Sequence, residues 1–383
     1  MAFDQPRRSR TEQTTRWWLL LAGVVWSLAC VARAQTIAGT SIYVRSDSDR
    51  TTVIAPRLHV GAPVADTTRV DLVYTADVWT SASIDIRASA SKPVTEQRDE
   101  IDATVTQEWE DFSLSGTYRY SHEYDYVSHG GTLTGSYSFA DKSATFDFRL
   151  AATFDDVGRA GFPTFDRQVT NLGARVGFTQ LLDQQTYVQI LYELMSANGF
   201  NSSAYRFIGI GTENGLCGAN SRPPSAYCIP EHSPSQRLRH AVAANFRRAL
   251  GEAVSVGLGY RFYLDSWDVM SHTALAELNF MPSRDWLLGL RYRFYMQGAA
   301  KHYQPVFTSS DIGLQFYTND KELSKFSAHR IAVDIEKTFE LDDRGHLLTV
   351  VLSGAPSFFT YDNYAPLQSI TAYELTLATV FKL

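Results

Sequence analysis

Long segments in which apolar and polar residues alternate recur along the chain. The clearest run over residues 144–154, 254–264 and 286–296. Weaker copies occur at 70–78, 101–109, 112–120 and 331–339. Successive side chains of a β-strand point to opposite faces, so this period of two indicates strands with one apolar and one polar face. The clearest segments are long enough for a tilted strand to cross a bilayer.

The composition favours a membrane barrel over a bundle of membrane-spanning helices. Hydrophobic residues make up 44% of the 383 residues and charged residues 20%. In a transmembrane barrel only alternate residues meet lipid, so such a balance is expected. Aromatic residues reach 13%, which suits the girdles at the two membrane interfaces. The net charge is −6 and the basic residues are scattered, which argues against nucleic acid as a partner.

The first segment of the chain has the three parts of an export signal. Arg7, Arg8, Arg10 and Arg16 form a basic region, residues 17–31 are apolar apart from Ser27, and Ala32-Arg33-Ala34 precedes Gln35 as a small-x-small cleavage pattern. The apolar run is too short for a comfortable membrane-spanning helix. We therefore expect a cleaved signal peptide at residues 1–34 and a mature chain at 35–383.

Export would place the two cysteines of the mature chain in an oxidising compartment. Cys217 and Cys228 lie in a stretch rich in Gly, Asn, Ser and Pro. An even pair in an oxidising compartment predicts a disulfide that closes a loop, and two free thiols are the alternative.

Short and long connections follow each other alternately along the chain, between the segments described above. Short turns are predicted at 109–111, 140–142, 250–252, 282–284 and 342–345. Long outward loops are predicted near 80–98, 199–235 and 298–325, with a further long link at 155–164. Outer-membrane barrels have tight periplasmic turns and extended outward loops. We therefore predict an all-β, antiparallel transmembrane β-barrel of about 16 strands (range 14–18), with both termini in the periplasm.

The strand ranges follow from that scheme. We predict strands at 37–46, 51–63, 67–79, 99–110, 111–122, 131–140, 142–154, 165–180, 183–197, 236–249, 252–264, 271–281, 285–298, 326–340, 346–360 and 367–383.

The last of these strands stops with the chain. Tyr373, Leu375, Leu377, Phe381 and Leu383 share one face. This resembles the terminal strand that the outer-membrane assembly machinery recognises, although the last residue is leucine and not aromatic. The prediction is a bacterial outer-membrane location, with the assembly machinery and outer-membrane lipid as partners. An ordinary edge strand is the alternative.

Two stretches resemble a known bacterial family. They are residues 47–52 (DSDRTT) and residues 77–85 (DVWTSASID) followed by 88–91 (ASAS). They are similar to members of domain of unknown function 3570 (DUF3570), which look like outer-membrane proteins of Gram-negative bacteria. The resemblance implies the same fold over the whole mature chain, although its specific motifs occupy only the first third.

The resemblance also implies an association with flavin transferases. These attach FMN to Ser or Thr within Asp-x-x-Ser/Thr-Gly-Ala-Ser/Thr. Residues 77–83 (DVWTSAS) are similar, with Ser83 at the acceptor position and Ser81 where the pattern has Gly. Covalent FMN at Ser83 is therefore one hypothesis, and a strand-to-loop junction of small residues is the other. We otherwise expect no cofactor.

Charges on the polar faces belong inside the barrel, because charge facing lipid is costly. The candidate selectivity residues of the lumen are Arg261, Arg291, Arg293, Asp71, Asp102 and Asp147. The acids fall on early strands and the arginines on later ones. Opposed acidic and basic walls would select polar solutes. Charges that merely pair with one another inside a plugged barrel are the alternative.

Catalytic motifs do not emerge from the sequence. The nine His residues show no zinc-binding spacing, and no nucleophile elbow or phosphate-binding loop occurs. His122 and His129 are predicted to flank an outer loop containing Glu123 and Asp125, as solvated residues. We expect no enzymatic activity and no metal. The leading hypothesis is a porin-like channel for small polar solutes, and a structural or redox-associated barrel is the alternative.

Overall fold

The computed structural model describes residues 36–81, 94–212, 215, 217, 227–311 and 313–383. The predicted signal peptide and Ser83 lie outside these residues. The strands of the described part are β1 Ile37–Asp47, β2 Thr51–Ala65, β3 Thr68–Ser81, β4 Val94–Glu108, β5 Phe112–Glu123, β6 Tyr126–Phe139, β7 Ala144–Val157, β8 Arg167–Asp183, β9 Thr186–Gly199, β10 Phe207–Ile210, β11 Tyr227–Pro230, β12 Gln236–Ala249, β13 Val254–Asp265, β14 Met270–Ser283, β15 Trp286–Gln297, β16 Phe326–Glu340, β17 Leu347–Tyr361 and β18 Ser369–Lys382.

Sixteen of these strands form one closed antiparallel barrel. The order around the wall is β1-β18-β17-β16-β15-β14-β13-β12-β9-β8-β7-β6-β5-β4-β3-β2. Closure comes from β1, which pairs with β2 on one side and with β18 on the other, from Ile37↔Lys382 to Asp47↔Ala372. The fold class and the strand number predicted from the sequence are confirmed. No helix within the described residues is both long enough and apolar enough to span a membrane.

Alternation along each strand separates the two faces of the wall. On β15, Leu290 and Tyr292 are 46% and 41% exposed on the outside of the barrel. Arg291 lies between these two residues and Arg293 follows Tyr292. Both arginine side chains therefore point inward. The barrel strands run from 11 residues in β1 to 17 in β8, enough to cross a bilayer at a tilt.

The C-terminal strand has the outward face that the sequence predicts. Tyr373, Leu375 and Leu377 are exposed on the outside of the barrel. Since β18 pairs with both β1 and β17, it is an interior strand of the closed sheet and not an edge.

The two ends of the barrel differ in their connections. The start of β1 at Ile37 and the end of β18 at Lys382 lie at one end, where every connection is short and where Gly251 and Gly345 take φ of 92° and 86°, which favour glycine. The long connections lie at the other end, which we call the loop end.

Two strand starts were predicted too late. β4 begins at Val94, not at residue 99, and β6 begins at Tyr126, not at 131. The predicted outer loop around Glu123 and Asp125 is therefore wrong, since only residues 124 and 125 separate β5 from β6. Further along, β7 continues to Val157, which shortens the link predicted at 155–164.

Ordered loops cover part of the loop end. We define the loop-end cap as the described residues of 200–235 and 298–325. It contains the β10–β11 hairpin, and bridges Ile210↔Phe307 and His232↔Tyr317 join its two segments. Ile208, Ile210 and Phe307 are almost completely buried in it. The cap therefore has a small hydrophobic core of its own.

Candidate functional site: the barrel interior

The predicted lumen arginines of the later strands lie on the inner face. Nη2 of Arg261 on β13 lies 3.1 Å from Oε2 of Glu193 on β9, and β12 lies between these two strands in the wall. Arg291 donates two hydrogen bonds to Asp334 on β16, each 2.9 Å long. Such a two-pronged contact fixes both side chains, because a planar guanidinium matches a carboxylate.

The third arginine is different. Within the described part of the chain, Arg293 makes no ion pair, and its guanidinium carbon lies 5.7 Å from the centre of the Tyr295 ring. Its side chain is exposed to the lumen. Arg293 therefore keeps an unneutralised positive charge on the inner wall.

The predicted lumen acids also face inward, each beside a base. Asp71 accepts from Arg69 at 2.9 Å and lies 2.8 Å from His59 Nε2. Asp102 accepts from Arg119 Nε at 2.7 Å.

Asp147, the remaining predicted acid, lies 3.6 Å from Arg175 on β8. The structure thus gives local partners to five of the six predicted lumen residues. Paired charges, one of the two interpretations left open by the sequence, describe their immediate contacts.

Pairing does not remove the charge difference between opposite sides of the barrel. On β3–β6 the inward acids are Asp71, Asp77, Glu96, Glu100, Asp102, Glu108 and Glu123, and the inward bases are Arg69, Arg98 and Arg119. On β12–β15 the inward bases are Arg237, Arg239, Arg247, Arg261, Arg291 and Arg293, and the inward acids are Asp265 and Glu277. In the strand order these two groups lie across the barrel from each other. We call them the acidic wall and the basic wall.

The loop-end cap is fastened to inward-facing side chains of the basic wall. Gln297 is buried and donates from Nε2 to the carbonyls of Glu322 and Ser324, at 2.9 and 2.8 Å. The guanidinium of Arg237 lies 4.2 Å from the ring centre of Trp267 in the β13–β14 connection. The cap is therefore in contact with an inward-facing side chain at the loop end of the basic wall.

Charged residues that lie far apart in the sequence form a network within the cap. Arg206 donates to Asp320 at 2.5 Å and lies 3.7 Å from Glu231. The side chain of Glu231 is only 2% exposed and accepts from the backbone N–H of Ser203 and the hydroxyl of Thr318. Burial raises the pKa of Glu231, Arg206 opposes this, and Asp320 adds to it.

A histidine is also buried in the cap. His302 packs edge-on against Trp267 with ring centroids 4.9 Å apart, and its Nε2 lies 3.2 Å from Ser233 Oγ. Its Nδ1 has no partner among the described residues. Burial lowers the pKa of His302 to about 4, and the charges of Arg237 and Lys301 act in the same direction.

The remaining predicted residues have the following places. Cys217 and Cys228 form the predicted disulfide, which links the loop to β11. Ser83 is outside the described residues, so the flavin hypothesis stays a prediction. His122 and His129 lie on strands, where His129 Nδ1 is 2.8 Å from the hydroxyl of Tyr118. No cluster of metal-ligating side chains occurs among the residues that the structure describes.

Sequence reasoning missed most of the partners. Arg175, Glu193 and Glu231 were not predicted, because strand register and loop packing decide which charges meet. Alternation could have placed Arg175 and Glu193 on inward faces, but no local pattern distinguishes the buried Glu231.

The fold is that of outer-membrane β-barrels. A structure described as a bacterial polysaccharide outer membrane secretin is similar to this chain with a TM-score of 0.51 and 9% identity, over 90% of this chain and 98% of the other. The outer membrane protein OprD from Pseudomonas aeruginosa is similar at a TM-score of 0.43 and 7% identity, over 91% and 94% of the two chains. The siderophore receptor PirA from the same organism gives 0.42 and 7%, over 91% and 80%.

The family can be stated from the sequence itself. The family model described as "Protein of unknown function (DUF3570)" matches residues 87–165 and 162–351, well over half of the chain. The chain belongs to this family, as the resemblance in its first third predicted. Among curated proteins, none matches the sequence significantly.

Proposed function

We propose that this protein is a channel of the bacterial outer membrane that lets small polar solutes through. The observation that carries the proposal is the acidic wall facing the basic wall inside a closed barrel of sixteen strands. Charge of opposite sign on the two sides orients polar and zwitterionic solutes across the passage. The proposal assigns no catalysis and no cofactor to the chain.

The size of the barrel supports a water-filled passage. Barrels of about 16–18 strands enclose an aqueous channel, whereas about eight strands leave an interior filled by side chains. Inward glycines also leave room on the wall, since Gly289 lies opposite Asp334 in the strand register and Gly257 opposite Glu277. Side chains of the charged pairs can then lie along the wall and leave the axis open.

The proposed location rests on the fold and on the outward face of the barrel. The outward face of the barrel is apolar and aromatic, as lipid requires. The C-terminal strand has the alternation expected of a substrate of the assembly machinery. Lipid, this machinery and small solutes are the proposed partners.

The test is solute permeation into proteoliposomes. Vesicles containing unheated protein should swell in isotonic solutions of small sugars and amino acids but not in a large oligosaccharide. The same protein after heat denaturation is the control. Swelling equal to that of protein-free vesicles would overturn the proposal.

The basic wall can be tested separately by ion selectivity. Replacing the unpaired Arg293 with Gln removes positive charge from the lumen, so the reversal potential in a salt gradient should move toward cation preference. Arg248, whose place on β12 points outward, provides the matched control as Arg248→Gln. An unchanged reversal potential in Arg293→Gln would contradict the role of the wall.

A further inference from the structure

A groove lies on the outside of the barrel, across β4 to β7. Its floor is Gly116 and Gly131, and a Cβ built on either glycine meets nothing within 4 Å. Ala103 and Ala152 continue the floor on both sides, and the groove has a volume of about 650 Å³. Small side chains thus leave an open dent in a surface that lipid must cover.

Strand formation does not require glycine at positions 116 and 131. Glycine inside a strand weakens it and often marks a place where another group approaches closely. Gly135, on the same face of β6, has such a neighbour, since the ring of Phe148 covers it. Gly116 and Gly131 lie bare between the exposed side chains of Val105 and Leu150.

Towards the loop end, the groove meets a polar pair. The hydroxyl of Tyr118, whose side chain lines the groove, is 2.8 Å from Nδ1 of His129. With the tyrosine O–H as donor to Nδ1, the imidazole proton stays on Nε2. His129 is exposed, so this N–H donor is available outside the barrel.

The same pair recurs on the outer wall. The tyrosine hydroxyl and histidine Nδ1 are 2.9 Å apart in Tyr192–His240, 2.6 Å in Tyr260–His272 and 2.8 Å in Tyr292–His329. In every case the histidine lies directly opposite the residue two places after the tyrosine. The pairs therefore form a belt at one level of the barrel.

The level of the belt can be estimated from β15. His329 lies opposite Phe294, eight residues beyond Trp286 at the tight-turn end. Eight residues span about 26 Å along a strand, or roughly 20 Å along the axis at a tilt of ~40°. The apolar band of such barrels is about 25 Å tall, so the histidines lie near its edge on the loop side.

We propose that the groove binds one acyl chain of lipid A, with a lipid phosphate accepting a hydrogen bond from His129. The apolar floor suits an acyl chain, and an N–H donor at the headgroup level suits a phosphate oxygen. The loop end faces outward in the proposed orientation, and the leaflet on that side is built from this phosphorylated glycolipid. The inference rests on the outer-membrane location but not on channel activity.

Native mass spectrometry of the detergent-purified barrel with added bis-phosphorylated lipid A tests the site. Gly116→Leu with Gly131→Leu places side chains in the groove at two positions where a Cβ meets nothing within 4 Å. We expect binding roughly tenfold weaker or more, since losing the burial of two methylene groups already changes a binding constant by that factor. Gly354→Leu, also open but on β17, is the matched control and should bind like the wild type.

The headgroup contact is tested by His129→Phe. It should weaken binding of bis-phosphorylated lipid A but leave binding of dephosphorylated lipid A unchanged. His329→Phe, from a pair that does not line this groove, should change neither. Retained heat-dependent gel mobility establishes that each variant is folded.

Three results would overturn the proposal. One is equal lipid A binding by the groove-filled variant and the wild type. The second is equal binding of phosphatidylethanolamine and lipid A by the wild type. The third is a dimer or trimer that the groove-filled variant loses, since a second copy would then occupy the groove.

Discussion

Charged side chains inside the barrel meet across neighbouring strands. Arg291 with Asp334 and Arg119 with Asp102 are examples, both in contact with the lumen. Ion pairs exposed to water contribute only about 0–1 kcal/mol each to stability. Their main effect is therefore on the position of charge along the wall and not on the stability of the fold.

A histidine in the cap provides a prediction at this scale. The pKa of His302 falls from 6.5 when exposed to about 4 in the folded cap. His302 thus contributes stability that is fully present above pH 6.5 and is lost as the pH falls towards 4. A shift of this size corresponds to on the order of 3 kcal/mol. The protection factors of the amides in residues 298–325, which correct for the fall of the intrinsic exchange rate with pH, should decrease over that window.

His302→Gln isolates this contribution, because glutamine does not titrate. The raised pKa of Glu231 acts in the opposite direction, since a protonated Glu231 suits the buried site. The protection factors of the cap in His302→Gln should therefore stay constant or rise as the pH falls from 6.5 to 4. The same acid-induced loss of protection in the variant and the wild type would contradict the assignment to His302.

The loop-end cap is the element that local sequence patterns describe least. Bridges such as Ile210↔Phe307 and the contact of Arg206 with Asp320 join residues about a hundred positions apart. Only the disulfide was predictable, because cysteine count and export suffice for it.

Removing the disulfide should loosen the cap and leave the barrel intact. Cys217→Ser with Cys228→Ser frees the loop that the disulfide closes across 11 positions. A loop of this size contributes about 3 kcal/mol in the chain-entropy model. Limited proteolysis should then cut within residues 200–235 at least several times faster, while the heat-dependent gel mobility stays unchanged. Equal cleavage rates in both proteins would show that the disulfide does not hold the cap.

Strand prediction succeeded where alternation was strong and failed where both faces are polar. The start of β4 at Val94 was missed because Thr95, Glu96, Gln97 and Arg98 show no alternation. The start of β6 was missed because His129, Gly130 and Gly131 are typical of a loop. In the structure His129 faces outward and is bonded to Tyr118, which explains a polar residue on that face.

At the scale of the whole molecule, the sequence predicts which charges face the lumen but not how they combine. Alternation placed Asp71, Asp147 and Arg261 correctly on inner faces. Whether they cancel depends on the register between strands and on the order around the barrel. Both are properties of the closed sheet, so the pairing and the opposed walls became visible only in three dimensions.

Single-channel recording in a planar bilayer tests the central claim that this closed barrel conducts. Unheated, heat-modifiable protein should give discrete, ion-conducting steps, and the same sample unfolded by heating should give none. The recording is repeated with the Cys217–Cys228 disulfide reduced, so that an occluding cap is distinguished from a plugged barrel. Folded protein without steps in either redox state would contradict a channel.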